Sequence, residues 1–355
     1  MNDLTIGLLS ALLATNQPEA VSNVIRHQTG VSVQLSADPI KQELREVMIA
    51  DDAAQDEVND WIKAFSASGT NQTQEAKQVL NQRIRDRFDQ VRKKYDQFLR
   101  NHPNYADAYL AYGSFLNDIG DPDEAKVQYE NAKQLDPKNP AVWNNLANYY
   151  GEFSPVTNAF TYYAEAIRLN PSEPVYYQNF ATTVYLFRKD AREFFNLSEQ
   201  QVFDKALGLY QAAMKLAPHD FVLATDYAES YYGIRPLRTN AALMAWTNAM
   251  NVAATDAERQ GVELHLARIK IAAGRFDEAR AHINAVTNTA YFDLKQRLMR
   301  SLEDHAHPAA STVDAEGSAT NPPVAPAAVS HSAAAGNSSP NQPPPQPAPP
   351  EAKTR

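Results

Sequence analysis

One pattern of large and small side chains is written twice in this chain, 34 residues apart, and no other feature limits its possible folds as tightly. Trp143, Ala147, Tyr150, Ala159, Tyr163, Ala166 and Pro171 each stand 34 residues after Tyr109, Gly113, Leu116, Ala125, Tyr129, Ala132 and Pro137. Within a copy the bulky residues recur at helical spacing and a Pro closes the unit, so each copy reads as helix, turn, helix. A chain assembled this way grows by repetition and escapes the usual size limit of a single core, so its 355 residues are expected to form one elongated body rather than two or three globules. Only 12 Gly, a high Ala content and 17 Tyr suit helices packed small against large, and no alternating strand pattern recurs. The fold class that follows is all-α.

The two copies resemble the tetratricopeptide repeat family, whose signature places Trp, Leu, Gly and Tyr on a first helix and Ala, Phe and Pro on a second. The resemblance covers about residues 73–304. A third copy opens at Pro174 with Tyr177, Phe180 and Ala181, but its second-helix sites, Ala206, Tyr210, Ala213 and Pro218, arrive 13 residues late. The surplus at 188–204 carries Phe194, Phe195 and Leu197, followed by Ser198 and Gln201 in the spacing of a capping box. It reads as an enlarged loop that packs on a neighbouring repeat. A fourth copy keeps Tyr227, Ala228, Tyr231, Ala242, Trp246 and Ala249 after a two-residue insertion near 233–237; a fifth keeps Leu266, Ala267, Gly274 and Ala279, with Ile283 and Val286 replacing the aromatic and Ala sites. The segment from Tyr291 to Asp304 reads as a solvating cap, with Phe292, Leu294, Leu298 and Leu302 on one face. Ahead of the first copy, Val91, Tyr95 and Phe98 fill second-helix sites of a half-repeat closed by Pro103.

What the resemblance implies is a right-handed α-solenoid of about five repeats, a preceding half-repeat and a C-terminal capping helix. Its first helices line a concave groove for an extended peptide or protein segment. Carried across site by site, the groove positions are Leu110 and Ser114; Asn144, Asn145 and Asn148; Gln178, Asn179, Thr182 and Tyr185; and Thr225, Asp226, Glu229 and Tyr232. The Lys and Arg with which some members hold a peptide's terminal carboxylate are missing at such sites, so the expected channel is neutral, amide-rich and tyrosine-rich. Asn145 and Asn179 fall at the same position in successive repeats, an arrangement that would offer amides to the backbone of a bound peptide. The alternative is a structural scaffold acting through the convex face, the 188–204 insertion and self-association.

Outside the repeats, residues 1–68 read as N-terminal helical hairpins. The first occupies 1–30 and is expected to pack or self-associate. The second opens at the N-cap Asp38 with Pro39 and breaks near Asp51 and Asp52, whose acidic run reads as a solvated face. Residues 66–72 read as a flexible connection, residues 73–304 as the solenoid and residues 305–355, rich in Pro, Ala and Ser, as a disordered tail. The seven bases between Arg83 and Arg100, interleaved with Asp86, Asp89 and Asp96, read as a salt-bridged surface of one helix.

The formal net charge of −9 is concentrated at the front. Residues 1–70 hold 10 acids against 4 bases, whereas residues 71–304 hold 29 against 27. A near-neutral body lacks the clustered cations that displace phosphate counterions, which argues against a nucleic-acid partner. Without cysteine there is no disulfide and no thiol chemistry. The apolar stretch at 4–14 is too short to span a membrane and has no basic flank, so a cytoplasmic place is expected. No phosphate loop, metal motif or nucleophile motif occurs; the expectation is a non-enzyme with no cofactor and no metal, whose partner is a protein or peptide of unknown identity.

Overall fold

The computed structural model describes residues 38–67, Gly69 and residues 73–307. Among these there are fourteen α-helices and no strand: α1 Pro39–Ala67, α2 Gln74–Asn101, α3 Ala106–Asp118, α4 Pro122–Leu135, α5 Pro140–Phe153, α6 Val156–Leu169, α7 Pro174–Leu186, α8 Arg188–Phe195, α9 Glu199–Leu216, α10 Phe221–Glu229, α11 Thr239–Val252, α12 Asp256–Ala272, α13 Phe276–Ala285 and α14 Phe292–Ala306. The helices pack as successive pairs, α1 on α2, α3 on α4, α5 on α6, α7 on α9, α10 on α11 and α12 on α13, and α14 closes over the last pair. This is the all-α repeat solenoid that the 34-residue pattern implies.

The repeated small residues set how closely the two helices of a pair approach. A Cβ added at Gly113 would meet the Tyr129 ring at 2.5 Å, so the ring lies directly against the backbone of α3. The next repeats place the fully buried Ala147 and Ala181 at that site. The conserved spacing of the tyrosines serves the joint between repeats: the Tyr163 ring stacks on Phe180 of the next first helix at 5.5 Å and its hydroxyl donates to Asn148 Oδ1 at 2.7 Å.

A second repeating contact joins each unit to the one before it. Trp143 donates from Nε1 to the Pro137 carbonyl at 2.8 Å, and the Tyr109 and Tyr177 hydroxyls donate to the Pro103 and Pro171 carbonyls, both at 3.1 Å. An aromatic residue with a donor, six residues after a Pro that follows the preceding helix, thus ties the start of α3, α5 and α7 to the turn each leaves.

At the front the structure corrects two expectations. Asp38 does cap a helix, its Oδ1 accepting from the Ile40 amide at 2.9 Å, but the helix runs unbroken to Ala67 instead of forming a hairpin. The reason is that Asp51 starts nothing; it is 8 % exposed, accepts from Gln55 one turn on at 2.8 Å and from the Tyr95 hydroxyl on α2 at 3.0 Å. Leu44, Val47 and Ala54 of α1 share one core with Val91, Tyr95 and Phe98 of α2 and with α3, so α2 is the second member of a full pair and not a half-repeat. The bases of α2 are paired mainly with other helices: Arg87 with Glu57 at 2.8 Å, Arg92 with Asp121 and with Glu124, and Arg83 over the Trp61 ring at 3.6 Å.

The surplus at 188–204 is mostly helical too. It holds the separate helix α8 and the early start of α9, where Ser198 and Gln201 close the expected capping box. The terminal cap α14 buries Leu298 and Leu302 as expected, while Phe292 stays exposed and the helix continues to Ala306. The expected N-terminal hairpin at 1–30 and the tail from 308 lie outside the described residues.

Candidate functional site

The first helices α3, α5, α7, α10 and α12 carry equivalent positions that can be counted from the small residue each presents to its partner: Gly113, Ala147, Ala181, Ala228 and Ala267. Two residues before it stand Asn145, Asn179, Asp226 and His265; one residue after it stand Ser114, Asn148, Thr182, Glu229 and Arg268. The sequence-derived groove follows these columns through four repeats, and the structure sorts its members into floor, link and rim.

Leu110 and Ser114 are buried in the first repeat, and so line no surface. The asparagines are also deeper than a peptide-facing ladder requires. Asn144 is 1 % and Asn145 7 % exposed, and their amides serve one another: Asn179 Nδ2 donates to Asn144 Oδ1 at 3.2 Å, and Asn144 Nδ2 to Asn145 Oδ1 at 3.4 Å. The chain of amides therefore couples α7 to α5, and within it Asn145 Nδ2 is left buried without a partner. Asn148 is exposed and accepts from Tyr163, while the Thr182 hydroxyl is shared between Tyr210 at 2.7 Å and the Gln178 carbonyl at 3.0 Å. Thr225 turns back to its own helix, bonding the Val222 carbonyl at 2.8 Å.

Further along, polar side chains from three successive first helices meet. Gln178 Nε2 of α7 donates to Asp226 Oδ2 of α10 at 2.8 Å. Desolvation raises the Asp226 carboxyl to about 6 against the opposing pull of that amide, and the Glu229 carboxyl is raised by desolvation and by Asp226. Behind them the 3-10 turn Ser230–Gly233 brings Tyr232 beside α12. Its hydroxyl lies 2.9 Å from His265 Nδ1, and the Arg268 guanidinium lies over its ring at 4.3 Å. Burial, helped by the Arg268 charge, pushes His265 down to about 4, so its imidazole is neutral near pH 7, and its ring stacks on Trp246 at 4.0 Å. Tyr185 reaches the same turn. A Cβ on Gly233 would lie 2.1 Å from the Tyr185 hydroxyl, so only Gly admits this ring.

His265 and Arg268 are absent from the sequence-derived groove. The signal that would have found them is the step of 39 residues from Ala228 to Ala267, which carries Asp226 and Glu229 onto His265 and Arg268. The statement that the groove sites hold no base is corrected accordingly, since Arg268 occupies one. Among the described residues no group of three or more His, Asp or Glu could hold a metal ion, and no helix is long and apolar enough to cross a membrane.

Residues 106–149 match the tetratricopeptide repeat family. Solved structures similar to this chain include PilF of Pseudomonas aeruginosa, 15 % identical with a TM-score of 0.46, covering 72 % of this chain and 99 % of that one. PilW, described as a type IV pilus biogenesis factor, is 14 % identical with a TM-score of 0.48, covering 65 % and 96 %. YrrB, described as a tetratricopeptide protein with an unusual peptide-binding site, is 13 % identical with a TM-score of 0.43, covering 59 % and 96 %.

Proposed function

We propose that this chain, a tetratricopeptide-repeat protein, is a non-enzymatic adaptor that binds an extended segment of a protein partner along its first helices. Proteins of this fold generally mediate protein–protein interactions. The observation that supports the specific reading is the meeting of Gln178, Asp226, Glu229 and Arg268 of three consecutive first helices with Tyr232 of the turn after α10, with Asp226 held by a single amide. A peptide main chain offers both donors and acceptors to such groups, and the rings of Tyr185 and Tyr232 offer faces for Pro or apolar side chains. Asn144, Asn145 and Asn179 act in this reading as the floor that fixes α5 against α7, with Asn148 and Thr182 beside the channel. The proposal includes a cytoplasmic setting.

A photo-crosslinking residue at Thr182, introduced in the native cell, is expected to capture a partner that the same residue at Val127, exposed on the second helix α4, does not. Tyr232→Ala should then weaken that partner's binding at least tenfold, the equivalent of about 1.4 kcal/mol. Equal capture from both positions, with affinity unchanged by Tyr232→Ala, would reject the groove and leave the scaffold reading.

A further inference from the structure

The third repeat alone carries an extra helix, and that helix builds a cavity on the side of the second helices. Phe194 and Phe195 of α8 stand edge to face at 4.8 Å, and both approach Phe160 of α6, at 5.4 and 5.3 Å. Phe180 of α7 closes the wall 6.4 Å from Phe195. The space between them and α9 is about 600 Å³ and largely open to solvent, within the range of about 300–1,000 Å³ common for ligand pockets. Phe194 remains 45 % exposed at its mouth.

The cavity has one charge that nothing answers. Lys205 of α9 holds its ammonium 4.3 Å from the Phe195 ring centre and 5.6 Å from that of Phe180. Among the described residues no carboxylate lies within ion-pair distance of it. Glu165, the acid that lines the cavity, is taken by Arg168 through two hydrogen bonds of 2.7 and 2.6 Å. Desolvation pulls the Lys205 ammonium below its ordinary range, and the ring faces supply only part of the lost hydration. An aromatic cleft with an unanswered cation is complementary to a carboxylate attached to an apolar body.

We propose that this cavity is a docking site for a protein segment in which an aromatic side chain adjoins Asp or Glu. The ring enters against Phe160 and Phe194, and the neighbouring carboxylate pairs with Lys205. The site is open to solvent, which admits a main chain that continues past it, whereas an acyl chain calls for an enclosed length. Although Phe180 belongs to α7, the cavity shares no residue with the proposed groove, so the two stand or fall separately.

The test uses the full chain and capped pentapeptides titrated to millimolar concentration by calorimetry. Gly-Glu-Phe-Glu-Gly is expected to bind saturably and at least tenfold more tightly than Gly-Gln-Phe-Gln-Gly, Gly-Lys-Phe-Lys-Gly or Gly-Glu-Ala-Glu-Gly. Lys205→Met should erase the preference for Glu over Gln, Lys205→Arg should keep it, and Phe194→Ala should weaken both peptides while helicity is unchanged. No saturable binding, equal affinity for the Glu and Gln peptides, or a preference that survives Lys205→Met would overturn the proposal. So would Lys205-dependent binding of decanoate without binding of the peptide.

Discussion

The leading pair α1–α2 and the block α3–α7 are both helices packed on helices, yet they are held together by different means. In the block a Pro carbonyl bonded to an aromatic donor recurs at the start of α3, α5 and α7, and the small-residue and tyrosine positions recur with it, as at Gly113 against Tyr129 and Tyr163 on Phe180. In the leading pair every polar contact is singular. Asp51 meets Tyr95 and Gln55, Glu57 meets Arg87, and Trp61 meets Arg83. Repetition lets one solution be reused, so the cost of losing a joint is shared out; the leading pair has no second copy of anything.

That contrast is broken most severely by removing residues 1–72. Val91, Tyr95 and Phe98 are each at most 1 % exposed, partly under α1. Uncovering them at about 1.5–3 kcal/mol per side chain should lower the stability of the remaining body by roughly 5 kcal/mol. Thermal unfolding followed by circular dichroism checks it, and an unchanged midpoint would mean that the body from residue 73 holds by itself, as the sequence alone suggests.

A smaller effect sharpens the comparison inside the block. Gly113→Ala drives a methyl into the Tyr129 ring and should destabilise by about 1–3 kcal/mol. Gly208→Ala on α9 has nothing within 4 Å of the new methyl and should stabilise by about 0.5–1 kcal/mol through helix propensity. If both changes had the same sign in denaturant unfolding, close approach would not be what the small position enforces.

The smallest expected signal concerns two desolvated carboxyls, Asp51 of the pair and Asp118 at the end of α3. Desolvation raises Asp51 to about 7, opposed by Gln55 and Tyr95 and aided by the charge of Asp52; it raises Asp118 to about 7, aided by Asp51 and opposed by Asn117 and Gln55. Both lie above the ordinary 3.8, so between the two values the folded chain holds protons that the unfolded chain releases. Stability contributed by these groups is therefore full at acid pH and is lost as pH rises through about 7. Asp51→Asn should flatten this slope relative to wild type in melting curves taken between about pH 5 and about pH 8. Parallel curves would show that Asp51 does not titrate there.

What the sequence made legible follows the same division. Ala125, Tyr129 and Ala132 could be placed because Ala159, Tyr163 and Ala166 repeat them, and the capping box at Ser198 could be placed because its partners are local. Asp51 could not, because a charged residue reads as solvated until Tyr95, 44 residues away, is known to lie against it. The groove asparagines were located correctly on the first helices, but that Asn179 bonds Asn144 depends on the tilt between repeats, which spacing does not encode. His265 and Arg268 were hidden by insertions that stretch the step to 39 residues.

The contact between each Pro carbonyl and the aromatic six residues on has a mechanical consequence. It acts as a detent, since a first helix cannot rotate against the preceding turn without breaking it. Detents hold the joints before α3, α5 and α7. Before α10 the Pro is Pro218, and the residue six later is the buried Ala224, which has nothing to donate. That joint is bridged instead by side-chain bonds, Gln178 to Asp226 and Gln211 to Tyr227. The joint before α10, which lacks the Pro contact, is also where polar side chains of the first helices meet, so a segment seated there would bear on the angle between α7 and α10.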